Sequence, residues 1–221
     1  MNHLRLCSTV VGLLFALAVA APGQEDDGLP LPAPAHGLAP RAPSGPAVEV
    51  VRRFYQAFAR SDFGTLEALY APDVSWQDTI FSAEGREALM GIWRFELDPA
   101  AGGRITWEVL AASPPDERGN TAVQVRWRDV YRLLGQRIDN TIDATLVVDR
   151  GGRIVEHRES YSWSVWARQA FPWLGDLVDA PPVRAALKAA LRRVVALKVA
   201  LQRVQRRPSA PNTGFTDRLG R

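Results

Sequence analysis

The sequence predicts an α+β fold, with N-terminal helices packed on one face of a curved antiparallel sheet and an added basic amphipathic helix at the C-terminus. Three observations lead there. Apolar residues first recur at helical spacing, between about 46 and 96. They then alternate through consecutive strand-like segments punctuated by turn residues, from 104 to 163. Last, the stripe from 181 to 207 carries eight Lys/Arg and no Asp/Glu. Helices followed by a run of strands mark a segregated α+β layout.

The chain starts with Arg5 before the wholly apolar Val10 to Leu17 and the small residues Ala18-Val19-Ala20. This pattern predicts an export signal over 1–20, and so a periplasmic or secreted protein. The apolar run is shorter than the ~20 residues a spanning helix needs, which makes a retained anchor the lesser alternative. Cys7 is the only cysteine and lies in this segment, so the mature chain is expected to have no thiol or disulfide. Residues 21–45 are rich in Pro, Ala and Gly around an acidic Glu25-Asp26-Asp27 cluster, and read as a flexible linker with a solvated His36.

A folded domain is expected over 46–176. Pro46 suits a first helical position, and Val50, Phe54, Ala57 and Phe58 follow at helical spacing. Asp62 can cap a short helix, Thr65 to Tyr70, that Pro72 ends. A strand is expected at 73–80 and a helix from about 85 to 96 carrying Leu89, Ile92 and Trp93. Strands at 104–112, 121–134, 137–149 and 153–163 follow, separated by Pro114-Pro115-Asp116, Gly135 and Gly151-Gly152.

The tail stripe of Val183, Leu187, Ala190, Val194, Leu197, Leu201 and Val204 alternates steps of four and three. It suits packing on its own domain or on a second copy, or lying on an anionic membrane surface. Residues 208–221 are expected to be disordered. Overall charge is uneven: outside 180–207, 19 of the 27 Lys/Arg face all 24 Asp/Glu, a net of −5. A mildly acidic body argues against a nucleic-acid partner.

Strand side chains alternate faces, so acids in phase with large apolar residues point inward. Asp78 is in phase with Val74, Trp76 and Ile80. Asp129 follows Val123, Val125 and Trp127, and Glu159 shares a face with Val155, His157, Tyr161 and Trp163. Carboxylates on an apolar face are costly unless paired or protonated, and several converging suggest a pocket for a ligand or for acid–base chemistry. Asp78, Asp129, Glu159 and His157 are therefore the candidate catalytic residues. Tyr55, Tyr70, Trp76, Trp93, Trp107, Trp127, Tyr131 and Tyr161 are the candidate pocket lining. Asp129 has a structural alternative as a buried partner of Arg94 or Arg168. No paired-cysteine, His-x-x-x-His, phosphate-loop or nucleophilic-serine motif occurs in the sequence, so no metal or cofactor is expected.

Several motifs in order complete the reading: Phe54-Tyr55-Gln56-Ala57-Phe58 before Asp62; Leu69-Tyr70-Ala71-Pro72-Asp73-Val74; Asp78 before Phe81; Gly85-Arg86; Gly152-Arg153-Ile154-Val155-Glu156-His157-Arg158-Glu159; and the closing Trp166-Ala167-Arg168-Gln169. From Val48 to Gly175 the chain resembles the nuclear transport factor 2-like superfamily, with its SnoaL-like polyketide cyclases, ketosteroid isomerases and limonene-epoxide hydrolases. The resemblance implies a cone-shaped sheet wrapped around helices, with a pocket at its open end and frequent dimers. It places the isomerase general base on Asp78, but the oxyanion-hole Tyr falls on Phe54 and the proton-donating Asp on or near Ala144. Two of three parts are missing, which disfavours steroid isomerisation of that type. The two epoxide-hydrolase acids fall near Asp129 and Glu159, with Trp127 where their Arg stands. Glu159 also sits near the late acid of the cyclases.

The resulting expectation is a small apolar organic ligand and, if the protein is an enzyme, cofactor-free isomerisation, cyclisation or hydration. A non-catalytic carrier is one alternative. A protein that uses its basic tail for assembly or membrane attachment is another.

Overall fold

The computed structural model describes residues 43–97 and 103–205, without the side chains of 202–205. The predicted export segment, most of the linker and the C-terminal tail lie outside the described residues.

Helix α1 (Pro46–Phe58) begins on proline and buries Val48, Val51, Phe54, Tyr55, Ala57 and Phe58. Helix α2 (Phe63–Leu69) is capped as expected: the Asp62 carboxylate accepts the Thr65 N–H at 3.1 Å and its hydroxyl at 2.6 Å. Strands β1 (Tyr70–Gln77) and β2 (Ser82–Glu84) lead into α3 (Arg86–Glu96), which buries Leu89, Met90, Ile92 and Trp93. Strands β3 (Arg104–Ala112), β4 (Thr121–Leu133), β5 (Gln136–Val148) and β6 (Ile154–Ser160) follow within two residues of the expected bounds, except at the end of β6. The chain closes with α4 (Trp163–Ala170), a 3₁₀ segment (Pro172–Asp179) and α5 (Pro181–Gln205).

The six strands form one curved sheet in the order β2-β1-β6-β5-β4-β3. β3 to β6 are an antiparallel meander, and β4 turns into β5 through Leu134 and Gly135, both at positive φ as a type I′ hairpin requires. One pairing departs from the all-antiparallel expectation: β1 runs parallel to β6, with Trp76 opposite His157. Strands so far apart in sequence are brought together by tertiary packing, which local patterning does not encode. Register shifts in β3 and at the start of β6 bend the sheet around α1.

The start of β6 also corrects the expected parity. Val148 pairs with Ile154 but Val147 pairs with Glu156, so Val155 is the extra residue of a bulge. Ile154, His157 and Glu159 therefore face inward although the first two are three apart. Strand 153–163 was also expected to run too far. Ser162 caps α4 by accepting the Val165 N–H at 3.3 Å, so Trp163 is helical, and its indole N–H donates to the Val178 carbonyl at 2.9 Å.

Helix α5 docks on its own domain. Ala190 and Val195 are buried, Leu187, Leu191 and Val199 are partly buried against the core, and Arg192 Nε donates to the Ile80 carbonyl at 2.6 Å. The inward face thus runs through Leu187, Ala190 and Leu191 to Val195 and Val199. The expected heptad stripe is corrected, because a straight helix at 3.6 residues per turn drifts away from a 3.5 repeat. Leu197 and Leu201 are left 56% and 53% exposed. Helices α3 and α5 approach so closely that a Cβ on Gly91 would lie 2.8 Å from Val199 Cγ1. Among the described residues no helix is long and apolar enough to cross a membrane.

Candidate functional site

Asp78 sits one residue past β1, in a tight turn rather than on the strand. One carboxylate oxygen accepts the Ile80 N–H at 2.6 Å and the Phe81 N–H at 2.5 Å, while the Asp78 N–H donates to the Phe81 carbonyl. The other oxygen lies 3.5 Å from the Tyr161 hydroxyl. Tyr161 is itself held by Thr79, which donates to its carbonyl and accepts its N–H. Burial raises the Asp78 carboxyl to about 7, against the two backbone N–H groups that pull it down; the Glu159 charge adds to the rise.

Glu159 and His157 both face inward from β6, opposite Ala144 and Leu146 of β5. The imidazole is fully buried, and its Nε2 lies 3.1 Å from Glu159 Oε1. The N–H direction misses that oxygen, so this is a close contact without hydrogen-bond alignment. The other ring nitrogen, Nδ1, lies 2.8 Å from the Tyr70 hydroxyl, which accepts the Trp93 indole N–H at 3.3 Å. Phe54 meets the imidazole edge-on, with ring centroids 5.4 Å apart.

Asp129 lies on β4 opposite Asn140, itself buried. Its Oδ1 has no hydrogen-bond partner. Burial raises its carboxyl to about 7, the Val130 N–H lowers it, and Glu159 raises it again. Neither expected arginine reaches it: Arg94 pairs with Glu67 at 3.4 Å, and Arg168 with Asp176 and Asp179.

A fourth acid, Glu96, joins them from the last turn of α3. Its side chain keeps exposed surface. The surrounding protein raises its carboxyl above the usual range and the charges of Asp78, Glu159 and Asp129 add to the rise, all of them screened by the solvent that reaches the side chain. Glu96 is thus the one position that feels all three expected acids. Sequence reasoning missed it, although it lies seven, four and three residues after Leu89, Ile92 and Trp93 and so shares their helix face.

The expected aromatic lining divides in two. Tyr55, Tyr70, Trp76 and Trp93 have at most 1% exposure and belong to the packed core, and Trp127 is 7% exposed. Tyr55 stacks on Trp107 with centroids 5.6 Å apart, and Trp76 meets Trp93 at 5.0 Å. Trp107, Tyr131 and Tyr161 keep accessible surface, and the Tyr131 hydroxyl accepts the Trp166 indole N–H at 2.8 Å. A separate cleft of about 410 Å³ opens between α3 and α5, lined by Ile92, Val195, Val199 and Arg192 among others. None of the four acids lines it.

A family model described as a SnoaL-like domain matches residues 51–157, from α1 to His157. Uncharacterized protein Rv0034 of Mycobacterium tuberculosis and uncharacterized protein Mb0035 of Mycobacterium bovis are each 33% identical over 127 residues, covering 52% of this chain and 88% of theirs. Among solved structures, an LEH-like epoxide hydrolase of M. tuberculosis aligns at 20% identity and TM-score 0.44, over 61% of this chain and 96% of that one. A ketosteroid isomerase-like protein from Erwinia carotovora atroseptica aligns at 12% identity and TM-score 0.45, over 52% and 92%. The mycobacterial relatives and the family match together show that this chain belongs to the SnoaL-like family of the nuclear transport factor 2-like superfamily.

Proposed function

We propose that the inner face of the sheet binds a small, mostly apolar organic molecule and moves its protons with carboxylates, as a cofactor-free isomerase, cyclase or hydrolase. One observation carries this reading. Asp78, Asp129 and Glu159 all turn inward, burial raises the first two carboxyls with the Glu159 charge adding to each, and no Arg or Lys is paired with any of the three among the described residues. Asp129 is the clearest case, because its Oδ1 has no partner and an unpaired carboxylate oxygen away from water destabilises the fold. Carboxyls near 7, as at Asp78 and Asp129, exchange protons readily in neutral water.

In this reading Glu159 and Asp78 are the paired acid and base, Asp129 and Glu96 hold or receive the second proton, and Tyr161 supports Asp78. Trp107, Tyr131 and Tyr161 supply the apolar wall. Proton transfer by a positioned side chain contributes roughly 10²–10⁴-fold. Replacing Asp78, Asp129 and Glu159 singly by their amides should therefore lower turnover of a converted substrate by at least about 100-fold in one or more variants, with far-ultraviolet circular dichroism unchanged. Full turnover in all three variants removes the catalytic role and leaves a carrier.

The exposed Leu197 and Leu201, on a helix with basic but no acidic residues, favour a second role: attachment of an exported protein to an anionic membrane surface, or pairing with a second copy. Leu197→Glu with Leu201→Glu should lower sedimentation with phosphatidylglycerol vesicles, or halve the mass seen by light scattering. If neither changes, this role is excluded.

A further inference from the structure

We propose that Trp93, Tyr70 and His157 form a one-way donor chain that presents the His157 Nε2–H to Glu159, with Tyr70 as the residue that fixes the His157 tautomer. The inference rests on Glu159 being an acid–base group of the proposed site, but its test does not require a substrate.

The direction follows from the donor inventory. An indole N–H can only donate, so at 3.3 Å the Tyr70 oxygen must accept from Trp93. Tyr70 then has one proton of its own to place. Burial holds that phenol well above its ordinary range, so the proton stays on it. Among the described residues the Tyr70 hydroxyl has no partner other than Trp93 and His157 Nδ1, which is 2.8 Å away. Nδ1 therefore accepts, and the ring proton of a neutral imidazole belongs on Nε2, the nitrogen 3.1 Å from Glu159 Oε1. The opposite arrangement would leave the phenol proton with no acceptor and a bare nitrogen lone pair facing a carboxylate oxygen.

Three neighbours fix the ring itself: Phe54 edge-on at 5.4 Å, Tyr70 stacked at 6.2 Å and Trp93 tilted at 6.1 Å between centroids. The imidazole cannot turn to choose another partner. What remains adjustable is the carboxylate, which needs only a small rotation to align with Nε2–H. Catalytic hydrogen bonds commonly tighten in this way once ligand is bound.

The chain ends on an indole, which does not accept a proton in return. It is therefore an anchor and not a proton wire. A proton taken up by Glu159 therefore does not leave through this chain. Tyr70, Trp93 and His157 are positioning residues.

The test is nitrogen-15 correlation spectroscopy on histidine-labelled full-length protein. The chain has three histidines, His3, His36 and His157, and the signal pair lost in His157→Gln is that of His157. The expected pattern is a protonated Nε2 and an unprotonated Nδ1. Tyr70→Phe should abolish the single tautomer, giving averaged nitrogen shifts, whereas Trp93→Phe should preserve it because Tyr70 still donates to Nδ1. A protonated Nδ1 in the unsubstituted protein overturns the proposal without any variant, and so does an unchanged pattern in folded Tyr70→Phe. Failure of the catalytic reading, seen as full turnover in Glu159→Gln, would leave the tautomer where it is. The two outcomes are therefore separable.

Discussion

The two faces of strands β4 to β6 carry acids at alternate positions under opposite conditions. On the outer face, Arg126 donates to Asp143 at 2.7 Å, Arg128 to Asp139 at 2.6 Å, and Arg158 lies 2.7 Å from Glu156. Each outer acid has an arginine on the same or a neighbouring strand, in water. On the inner face, one residue away, Asp129 and Glu159 have no arginine, and Asp129 Oδ1 has no partner at all. A single pleat separates charges arranged for solubility from charges held at a cost in stability. The proposed acid–base role rests on this contrast.

The sharpest way to break the comparison is to remove an inner charge and look for gained stability. Asp129 has its carboxyl raised from 3.8 to about 7, so between those values the native state holds more protons than the unfolded chain. Stability must therefore fall as pH rises through this window and level off above it. Full linkage over roughly three pH units corresponds to about 4 kcal/mol at 1.36 kcal/mol per unit. Residual solvent access reduces this, so Asp129→Asn should gain about 1–3 kcal/mol at pH 8 and nothing near pH 4. In a chain of this size that is roughly 2–4 °C in Tm per kcal/mol. Urea unfolding at both pH values checks it. A loss of stability at pH 8 would mean that Asp129 is compensated after all.

The contrast was partly legible in the letters, and its gaps have physical causes. Alternation alone put Asp129 inward and Arg126 and Arg128 outward, because β4 is long and regular. Glu159 and His157 were also placed correctly, but a reference to Val155 hides a bulge that only the register reveals. Asp78 has the expected inward position for a different reason: the strand stops at Gln77, and backbone N–H groups in the following turn hold the carboxylate. Glu96 is invisible to strand alternation because it lies on α3, where a 3.6-residue period sets which side chains share a face. The buried chain from Trp93 to Glu159 draws on α3, β1 and β6, and no local pattern predicts that β1 pairs in parallel with β6.

The outer face supplies the smallest expected effect, and its size matters to the argument. Arg126 and Asp143 are directly opposite in the β4–β5 register, with side chains 51% and 42% exposed. Exposed pairs of this kind contribute about 0.2–1 kcal/mol, because water screens the attraction and ordering two side chains offsets part of it. A double-mutant cycle with Arg126→Ala and Asp143→Ala should return a coupling in that range at low salt. It should shrink toward zero at about 1 M salt, where the Debye length is roughly 3 Å. The Asp129→Asn gain should persist in the same salt, since protein and not solvent surrounds that carboxyl. A salt-insensitive outer pair, or an Asp129 effect that vanishes with salt, would erase the distinction between the faces. Equal behaviour of both would make the inner acids ordinary surface charges that happen to be folded inward.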